Sequence, residues 1–243
     1  MTQSTIFCDF DGPIVDVSER YYATYQQGLQ LVQDQALAKG EAISVRPISK
    51  SQFWTFKQNR IPDRQIAHWS GLESHQIDNF LAQVNRIVNH PSLLSHDQIQ
   101  PKVQEALVLF QQCGVRLVLV TLRCPDQVRE FLAKNHLQGV FSELFGMPRI
   151  EAAYTNQTNH KVERLQAAIA AQQRQGYTLK NAWMIGDTEA DIMAGQSLGL
   201  ETVALTCGIR SSNYLQSFRP TYLMPDLWAA SQRLQQQVTL RLR

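Results

Sequence analysis

The stretch Ile6-Phe7-Cys8-Asp9-Phe10-Asp11-Gly12 is where an apolar run ends directly in two carboxylates. If Ile6–Cys8 is a strand, side chains alternate between its faces, so Asp9 and Asp11 share a face with Phe10 opposite. Two like charges this close are unfavourable unless a cation lies between them or one carboxyl keeps a proton. Asp and Gly after a strand are also typical of an ordinary turn. The stretch therefore predicts either a charged reaction site or a simple turn.

Three later segments favour the reaction site. The apolar run Val118-Leu119-Val120 ends in Thr121, and Ala182-Trp183-Met184-Ile185-Gly186 leads into Asp187-Thr188-Glu189-Ala190-Asp191. Between them, Lys161 stands near the start of a helical pattern. Ligands of a parallel sheet bind outside the carboxyl ends of its strands. Asp11, Thr121 and Asp187 are all expected at such ends.

In this order the four segments resemble the motifs of the haloacid dehalogenase-like hydrolase superfamily. Those motifs are Asp-x-Asp, a Ser or Thr after a strand, a Lys, and Gly-Asp-x-x-x-Asp. The resemblance runs from about Ile6 to Cys207, and Gly186–Ile192 followed by Ala194-Gly195 is its most specific part. Within the superfamily the chain looks like the phosphatase branch with a helical cap, which includes phosphoglycolate phosphatases and β-phosphoglucomutase-like proteins.

The resemblance implies a role for each carboxylate. Asp9 would attack phosphorus and become an aspartyl-phosphate. Asp11 would protonate the leaving oxygen and later take a proton from water, and Gly12 lets the chain turn past the pair. The Asp9 side chain, the Asp11 backbone carbonyl and the Asp187 side chain would bind Mg²⁺, which prefers oxygen ligands. Asp187 is alternatively the N-cap of the helix that follows.

The other site residues would act on the phosphoryl group or support its ligands. Thr121 would donate its hydroxyl to phosphate, or merely cap a helix. Lys161 would place a charge against phosphate and Asp9; a solvated surface lysine is the alternative, and Lys180 is a less suitable candidate because it immediately precedes the fourth-motif strand. Asp191, one turn after Asp187, would bind the metal or orient Lys161, and a supporting role is favoured.

Two positions depart from the family pattern. Pro13 follows Asp-x-Asp-Gly where Thr or Val is common, so phosphate contacts there are expected to differ. Arg123 lies two residues after Thr121, where Lys is common. Arg123 is expected either to bind a second anionic group of the substrate or to be a salt-bridged surface arginine.

Composition places the chain among globular proteins. It has 243 residues, 44% hydrophobic and 18% charged, with a net charge of +2. That length suits an α/β core with a smaller inserted domain. The dispersed basic residues argue against nucleic acid. The four cysteines show neither metal-site nor disulfide spacing. No segment is long enough to span a bilayer, and Met1–Ser4 lacks signal-peptide features. We expect a cytoplasmic protein without a membrane partner.

Alternating strand and helix patterns predict a doubly wound parallel sheet, a Rossmann-like α/β core, over residues 1–16 and 96–243. Residues 17–95 read as helices only, which resembles the inserted cap domain. Ser18 is the expected N-cap of the first cap helix and Gly40 its end. The return linker is expected at 89–101. Candidate substrate contacts in the cap are basic, although most are expected to be solvated charges: Arg20, Lys57, Arg60 and Arg64.

Asp11 narrows the expected reaction, because dehalogenating and phosphonate-cleaving relatives lack a carboxylate at that place. The prediction is Mg²⁺-dependent hydrolysis of a small phosphorylated metabolite, phosphoglycolate or a sugar phosphate. The alternatives are a phosphomutase, which keeps the same carboxylate, and a binding protein on the same fold without turnover.

Overall fold

The computed structural model describes residues 4–148 and 156–241, with side chains up to residue 236. The strands in this part of the chain are β1 Thr5–Cys8, β2 Val15–Asp16, β3 Gln98–Ile99, β4 Arg116–Val120, β5 Glu143–Phe145, β6 Trp183–Gly186, β7 Glu201–Leu205 and β8 Tyr222–Met224. The helices are α1 Ser18–Ala38, α2 Lys50–Gln58, α3 Asp63–Trp69, α4 Ser74–Ile87, α5 Pro91–Leu94, α6 Val103–Gln112, α7 Pro125–Lys134, α8 Thr158–Arg174, α9 Glu189–Ser197, α10 Ser212–Gln216 and α11 Leu227–Arg241.

Six strands form a parallel sheet in the order β5-β4-β1-β6-β7-β8. β1 lies in the middle, and Phe7 is aligned with Val118 of β4 on one side and Met184 of β6 on the other. The carboxyl ends of β1, β4 and β6 therefore meet at one edge. This confirms the predicted parallel α/β sheet.

Helices cover the sheet because its strands are apolar on both faces. Phe7, Val118 and Met184 are at most 1% exposed and pack with Leu165 of α8 in one core cluster. α8 also packs along α9, while α6 packs along α11. The adjacent strands β4, β1 and β6 thus support the residues that follow each of them.

The chain divides into two compact units. The first comprises the described residues up to Asp16, Ile99–Gly208 and Ser212 onward, and contains the six-stranded sheet. The second comprises Val17–Gln98 with Ile209–Ser211, and its helices are α1 to α5. That this helical unit acts as a cap stays a prediction.

Within the helical unit, α1 buries one apolar stripe. Tyr25, Leu29, Val32 and Ala36 are all buried, and α1 packs along α4. The prediction that Ser18 is the N-cap was wrong. Val17 is the N-cap and makes no side-chain capping hydrogen bond, and Ser18 is the first residue of the helix.

Several short elements were not predicted from the sequence. β2 and β3 form a separate two-stranded sheet, and β3 and α5 fall in the segment expected to be only a linker. α10 also went unpredicted. Two-residue strands carry no period of their own, because their existence depends on a partner far along the chain. Within 4–148 and 156–241, every helix is too short or too polar to cross a membrane.

Candidate active site

The two carboxylates after β1 have different surroundings. β1 ends at Cys8, so neither carboxylate belongs to the strand, and Asp9 is buried while Asp11 is only half-buried. The Asp9 backbone N–H still donates to the Ile185 carbonyl at 2.8 Å, and the Phe10 N–H donates to Asp9 Oδ1 at 2.7 Å. Asp9 is thereby fixed at the carboxyl edge of the sheet.

Lys161 lies at the centre of a buried ionic cluster. Its Nζ is 2.8 Å from Asp9 Oδ1 and 2.9 Å from Asp191 Oδ1, and it donates to the Val120 carbonyl at 3.3 Å. The side chain is 1% exposed, whereas Lys180 is exposed. The structure therefore brings Lys161 to Asp9 and excludes the alternative of a solvated lysine.

Asp191 carries out two structural tasks. Besides the contact with Lys161, its Oδ2 accepts from the Thr188 N–H at 3.1 Å and the Thr188 hydroxyl at 2.7 Å. Thr188 is the N-cap of α9 in a capping box, so the alternative that Asp187 caps this helix is wrong. Asp191 thus orients Lys161 and closes the first turn of α9.

Three buried carboxylates, those of Asp9, Asp187 and Asp191, offer oxygen atoms within 4.8 Å of one another. Lys161 is in contact with two of them, Asp9 and Asp191. Oxygen donors in this number suit a hard divalent cation such as Mg²⁺. Since Lys161 and Thr188 already engage Asp191, Asp9 and Asp187 are the better candidate ligands.

Glycines make room for the Asp187 carboxylate. A Cβ on Gly12 or Gly208 would overlap that carboxylate, and Gly12 also has a φ of +92°. Gly12 was predicted from its place after the carboxylate pair. Gly208 was missed, although a glycine three residues past the end of β7 was a usable signal, since neighbouring parallel strands end at the same edge.

Pro13 fits the turn after the carboxylates. The turn is closed by the Gly12 N–H donating to the Val15 carbonyl, and by the N–H groups of Ile14 and Val15 donating to the Phe10 carbonyl. None of these bonds needs an N–H at position 13, so the proline removes no donor that the turn uses. Its effect on phosphate contacts stays a prediction.

Thr121 directly follows β4 and is buried. Its N–H donates to the Phe145 carbonyl at 2.9 Å, and its hydroxyl oxygen accepts from the Arg123 N–H at 3.1 Å. The N-cap of α7 is Cys124, so Thr121 does not cap that helix. The structure places Thr121 at the same sheet edge as Asp9, where β1 and β4 are adjacent.

Arg123 differs from the expectation of a surface residue. Its side chain is 1% exposed, and its guanidinium pairs with the Asp11 carboxylate. Nη2 lies 2.5 Å from Oδ1, and Nε donates to Oδ2 at 3.2 Å. Asp9 and Asp11 therefore do not share one cation: Asp9 pairs with Lys161, and Asp11 with Arg123.

Burial sets the electrostatics of Asp9. Desolvation, against the opposing effect of Lys161 and with a smaller contribution from Asp191, raises the pKa of Asp9 to about 7. Burial also opposes the charge of Lys161, but the Asp191 and Asp9 carboxylates outweigh it and raise the pKa of Lys161 above its usual value. An ammonium that stays charged between carboxylates is suited to hold an anionic group.

Cysteine thiols are poor competing nucleophiles here. Burial raises the pKa of Cys8 well above its ordinary value and that of Cys207 to about 12. Because the thiolate is the reactive form, burial disfavours Cys8 and Cys207 as nucleophiles at this edge.

The four basic candidates of the helical unit are placed differently. Arg20 is fully buried, so the expectation of a solvated charge is wrong for it. Lys57 pairs with Asp63 at 2.7 Å, with both side chains mostly buried. Arg64 pairs with Asp78 at the surface, and Arg60 is exposed with a φ of 60°. A substrate contact by any of them stays a prediction.

Comparison with known proteins identifies the class. The family model described as haloacid dehalogenase-like hydrolase matches residues 6–205, so the chain belongs to this family. This confirms the predicted recognition and an enzyme of the hydrolase class.

Particular relatives extend this result. The chain is 24% identical over 229 residues to pyrophosphatase PpaX of Bacillus pumilus, covering 93% of this chain and 94% of the relative. It is 29% identical over 127 residues to phosphoglycolate phosphatase of Aliivibrio fischeri, 52% of each chain. A haloacid dehalogenase-like family protein of Streptococcus pneumoniae has the same fold, with a TM-score of 0.66, 16% identity, and coverage of 100% of this chain and 99% of that one.

Proposed function

We propose that this protein hydrolyses a small phosphate monoester in a Mg²⁺-dependent reaction with Asp9 as nucleophile. The observation that carries the proposal is the convergence of the buried Asp9, Asp187 and Asp191 carboxylates, with Lys161 in contact with Asp9 and Asp191. Oxygen donors that converge in this way suit a hard divalent cation. Such a cation, together with Lys161, would bind an anionic substrate.

The carboxylates of Asp9 and Asp187 and the backbone carbonyl of Asp11 would hold Mg²⁺. The bound ion would neutralise charge on the phosphoryl oxygens. Asp191 would support the site indirectly, because it holds Lys161 and caps α9.

In the proposed reaction, a carboxylate oxygen of Asp9 attacks phosphorus while Asp11 gives a proton to the leaving oxygen. Water then attacks the aspartyl-phosphate, and Asp11 takes its proton. Proton transfer of this kind is typically worth about 10²–10⁴-fold. Lys161 and the Thr121 hydroxyl would bind the transferring group, whose negative charge they complement.

The substrate class is a small phosphorylated metabolite, with phosphoglycolate or a sugar phosphate as first candidates. Pyrophosphate is a second candidate, because the relatives named pyrophosphatase PpaX match over 93% of the chain. A phosphomutase would use the same carboxylates but return phosphate to a sugar hydroxyl. A binding protein on this fold would show no turnover.

One experiment separates these readings. Purified protein is incubated with 4-nitrophenyl phosphate, phosphoglycolate, pyrophosphate and glucose 1-phosphate, with Mg²⁺ or with EDTA, and both phosphate release and sugar phosphate isomerisation are measured. We expect release that requires Mg²⁺. Isomerisation without release would favour the mutase, and neither reaction would overturn both enzymatic readings.

A matched control guards against effects of merely removing a charge. Asp126 is 90% exposed and pairs only weakly with Arg129 at the surface. Asp126→Asn should keep full activity. Asp187→Asn should weaken Mg²⁺ binding, so that half-maximal activity requires a higher Mg²⁺ concentration. Equal behaviour of the two variants would contradict the metal assignment.

A further inference from the structure

We propose that Arg123 is a positioning residue that fixes the orientation of the Asp11 carboxylate for proton exchange with the leaving oxygen. This inference rests on the proposed function, since it takes Asp11 as acid and base. It replaces both sequence expectations for Arg123, a surface arginine and a group that binds the substrate directly.

Arg123 contacts both oxygens of the Asp11 carboxylate, one through a hydrogen bond and the other as a close ion pair. Arg123 Nη2 and Nε each meet a different oxygen of Asp11, at 2.5 and 3.2 Å. Two contacts on two oxygens fix the plane of the carboxylate as well as its distance, which a single point charge does not.

Burial distinguishes the two partners. The Arg123 side chain is 1% exposed, whereas that of Asp11 is 19% exposed. The guanidinium therefore lies behind the carboxylate in the protein, and the carboxylate retains an accessible edge. Because Arg123 is more deeply buried than Asp11, it is placed to act through Asp11 and not on the substrate.

Arg123 is itself anchored at both its backbone and its guanidinium. Its N–H donates to Thr121 Oγ1 at 3.1 Å, and its carbonyl accepts from the Met147 N–H at 3.2 Å. The guanidinium lies over the ring of Phe10, 5.1 Å from the centroid, and that ring packs edge-on against Phe131. A support this constrained transmits its geometry to the group it holds.

Lys161 and Arg123 differ in how they contact carboxylates. Lys161 is a point charge between two carboxylates, Asp9 and Asp191. Arg123 pairs with Asp11, the carboxylate that must be oriented for proton transfer. The rate of such a step is sensitive to position, because a 1 Å misplacement can lower it by about 10²-fold. An arginine fork meets that need better than an ammonium.

The test compares two substrates of nearly equal shape, phenyl phosphate and 4-nitrophenyl phosphate. Phenolate is the poorer leaving group and depends more on protonation. In Arg123→Met, we expect kcat/KM for phenyl phosphate to fall about tenfold more than that for 4-nitrophenyl phosphate, within the range of general acid catalysis. Arg123→Lys should recover only part of this loss and keep the same bias between substrates.

A second background tests whether Arg123 acts through Asp11. In Asp11→Asn, adding Arg123→Met should change kcat/KM by less than about twofold, because residues acting as a unit are non-additive. Circular dichroism and thermal unfolding check folding; should Arg123→Met be unfolded, Arg123→Lys alone must show the substrate bias.

Several outcomes overturn the inference. Equal losses for both substrates, full additivity with Asp11→Asn, or an Arg123→Lys variant with unchanged kinetics would each assign Arg123 another role. Failure of the unmodified protein to hydrolyse either substrate with Mg²⁺ would overturn the proposed function, and this inference with it. Turnover with an unaltered substrate ratio overturns this inference alone.

Discussion

Each unit of the protein buries an ionic cluster, and the two clusters differ in the number of carboxylates that converge. In the helical unit, Arg20 Nε lies 3.0 Å from Asp97 Oδ1, and Arg20 Nη1 donates to Asn89 Oδ1 at 2.9 Å, with both charged side chains 1% exposed. In the sheet-containing unit, Lys161 faces both Asp9 and Asp191.

The arrangement of carboxylates indicates what each cluster is for. A guanidinium paired with one carboxylate and a neutral amide keeps a fold in register. Three converging carboxylates, two of them in contact with one ammonium, instead offer oxygen donors for a divalent cation. Burial of ionisable groups is thus common to both, whereas converging carboxylates are a property of the candidate active site.

The largest effect should come from Asp9→Asn, which separates activity from stability. Without the carboxylate there is no nucleophile, so kcat should fall by about 10³-fold or more. Folding should be retained, because the change removes a buried negative charge and Asp191 still pairs with Lys161. Phosphate release and thermal unfolding in EDTA measure the two properties. Near-normal turnover by this variant would refute the nucleophile assignment.

Arg20→Met should give the opposite result, a loss of stability. It leaves Asp97 buried beside an apolar side chain, and breaking a buried pair costs about 3–5 kcal/mol. Urea unfolding at equilibrium measures the loss. Adding Asp97→Leu should recover most of the loss, because apolar replacement of both partners is nearly neutral.

Lys50→Met is the matched control for this comparison. Lys50 pairs with Glu19, and both side chains are largely exposed. Surface pairs contribute little, so its loss should be below about 1 kcal/mol. If Lys50→Met and Arg20→Met were equally stable, burial of the Arg20 pair would not matter as argued.

Local patterns predicted most of this architecture, because helices and buried strands each carry a period of their own. The sequence patterns predict a helix over Asp63–Trp69 and a strand over Glu201–Leu205, and both have these bounds in the structure. Most other elements differ at their ends by one or a few residues, where caps and neighbours decide the boundary. β2 lacked any such period and was not predicted.

The candidate site was predicted as a set of residues with some of its contacts. Strand ends predicted Asp11, Thr121 and Asp187 at one sheet edge, and the resemblance implied that Lys161 contacts Asp9. The partner of Arg123 was not predictable, because the contact with Asp11 joins positions 112 residues apart and depends on the turn after β1. The same is true of Gly208, whose role follows from the position of Asp187.

Mg²⁺ should stabilise the protein through Asp187 and not through Asp191. A ligand at a hundred times its dissociation constant stabilises the folded state by about 2.7 kcal/mol. Unfolding of the unmodified protein and of Asp191→Asn, followed in Mg²⁺ and in KCl of equal ionic strength, should show a Mg²⁺-specific shift. Asp187→Asn should show none. A full shift in Asp187→Asn would mean that the ion binds elsewhere, and the converging carboxylates would no longer identify the site.

The smallest expected effect is a dependence of metal-free stability on pH. The folded-state pKa of Asp9, about 7, lies above its ordinary value of 3.8 because burial disfavours the charge. The folded state therefore holds this proton more tightly, and the stability that the proton contributes is lost as pH rises through about 7. Between pH 6 and pH 8 in EDTA, the free energy of unfolding should fall by about 1 kcal/mol, since one pKa unit corresponds to about 1.4 kcal/mol. Asp9→Asn should remove this slope, whereas Lys50→Met, at the exposed surface, should leave it intact. A slope that persists in Asp9→Asn would assign the titration to another group.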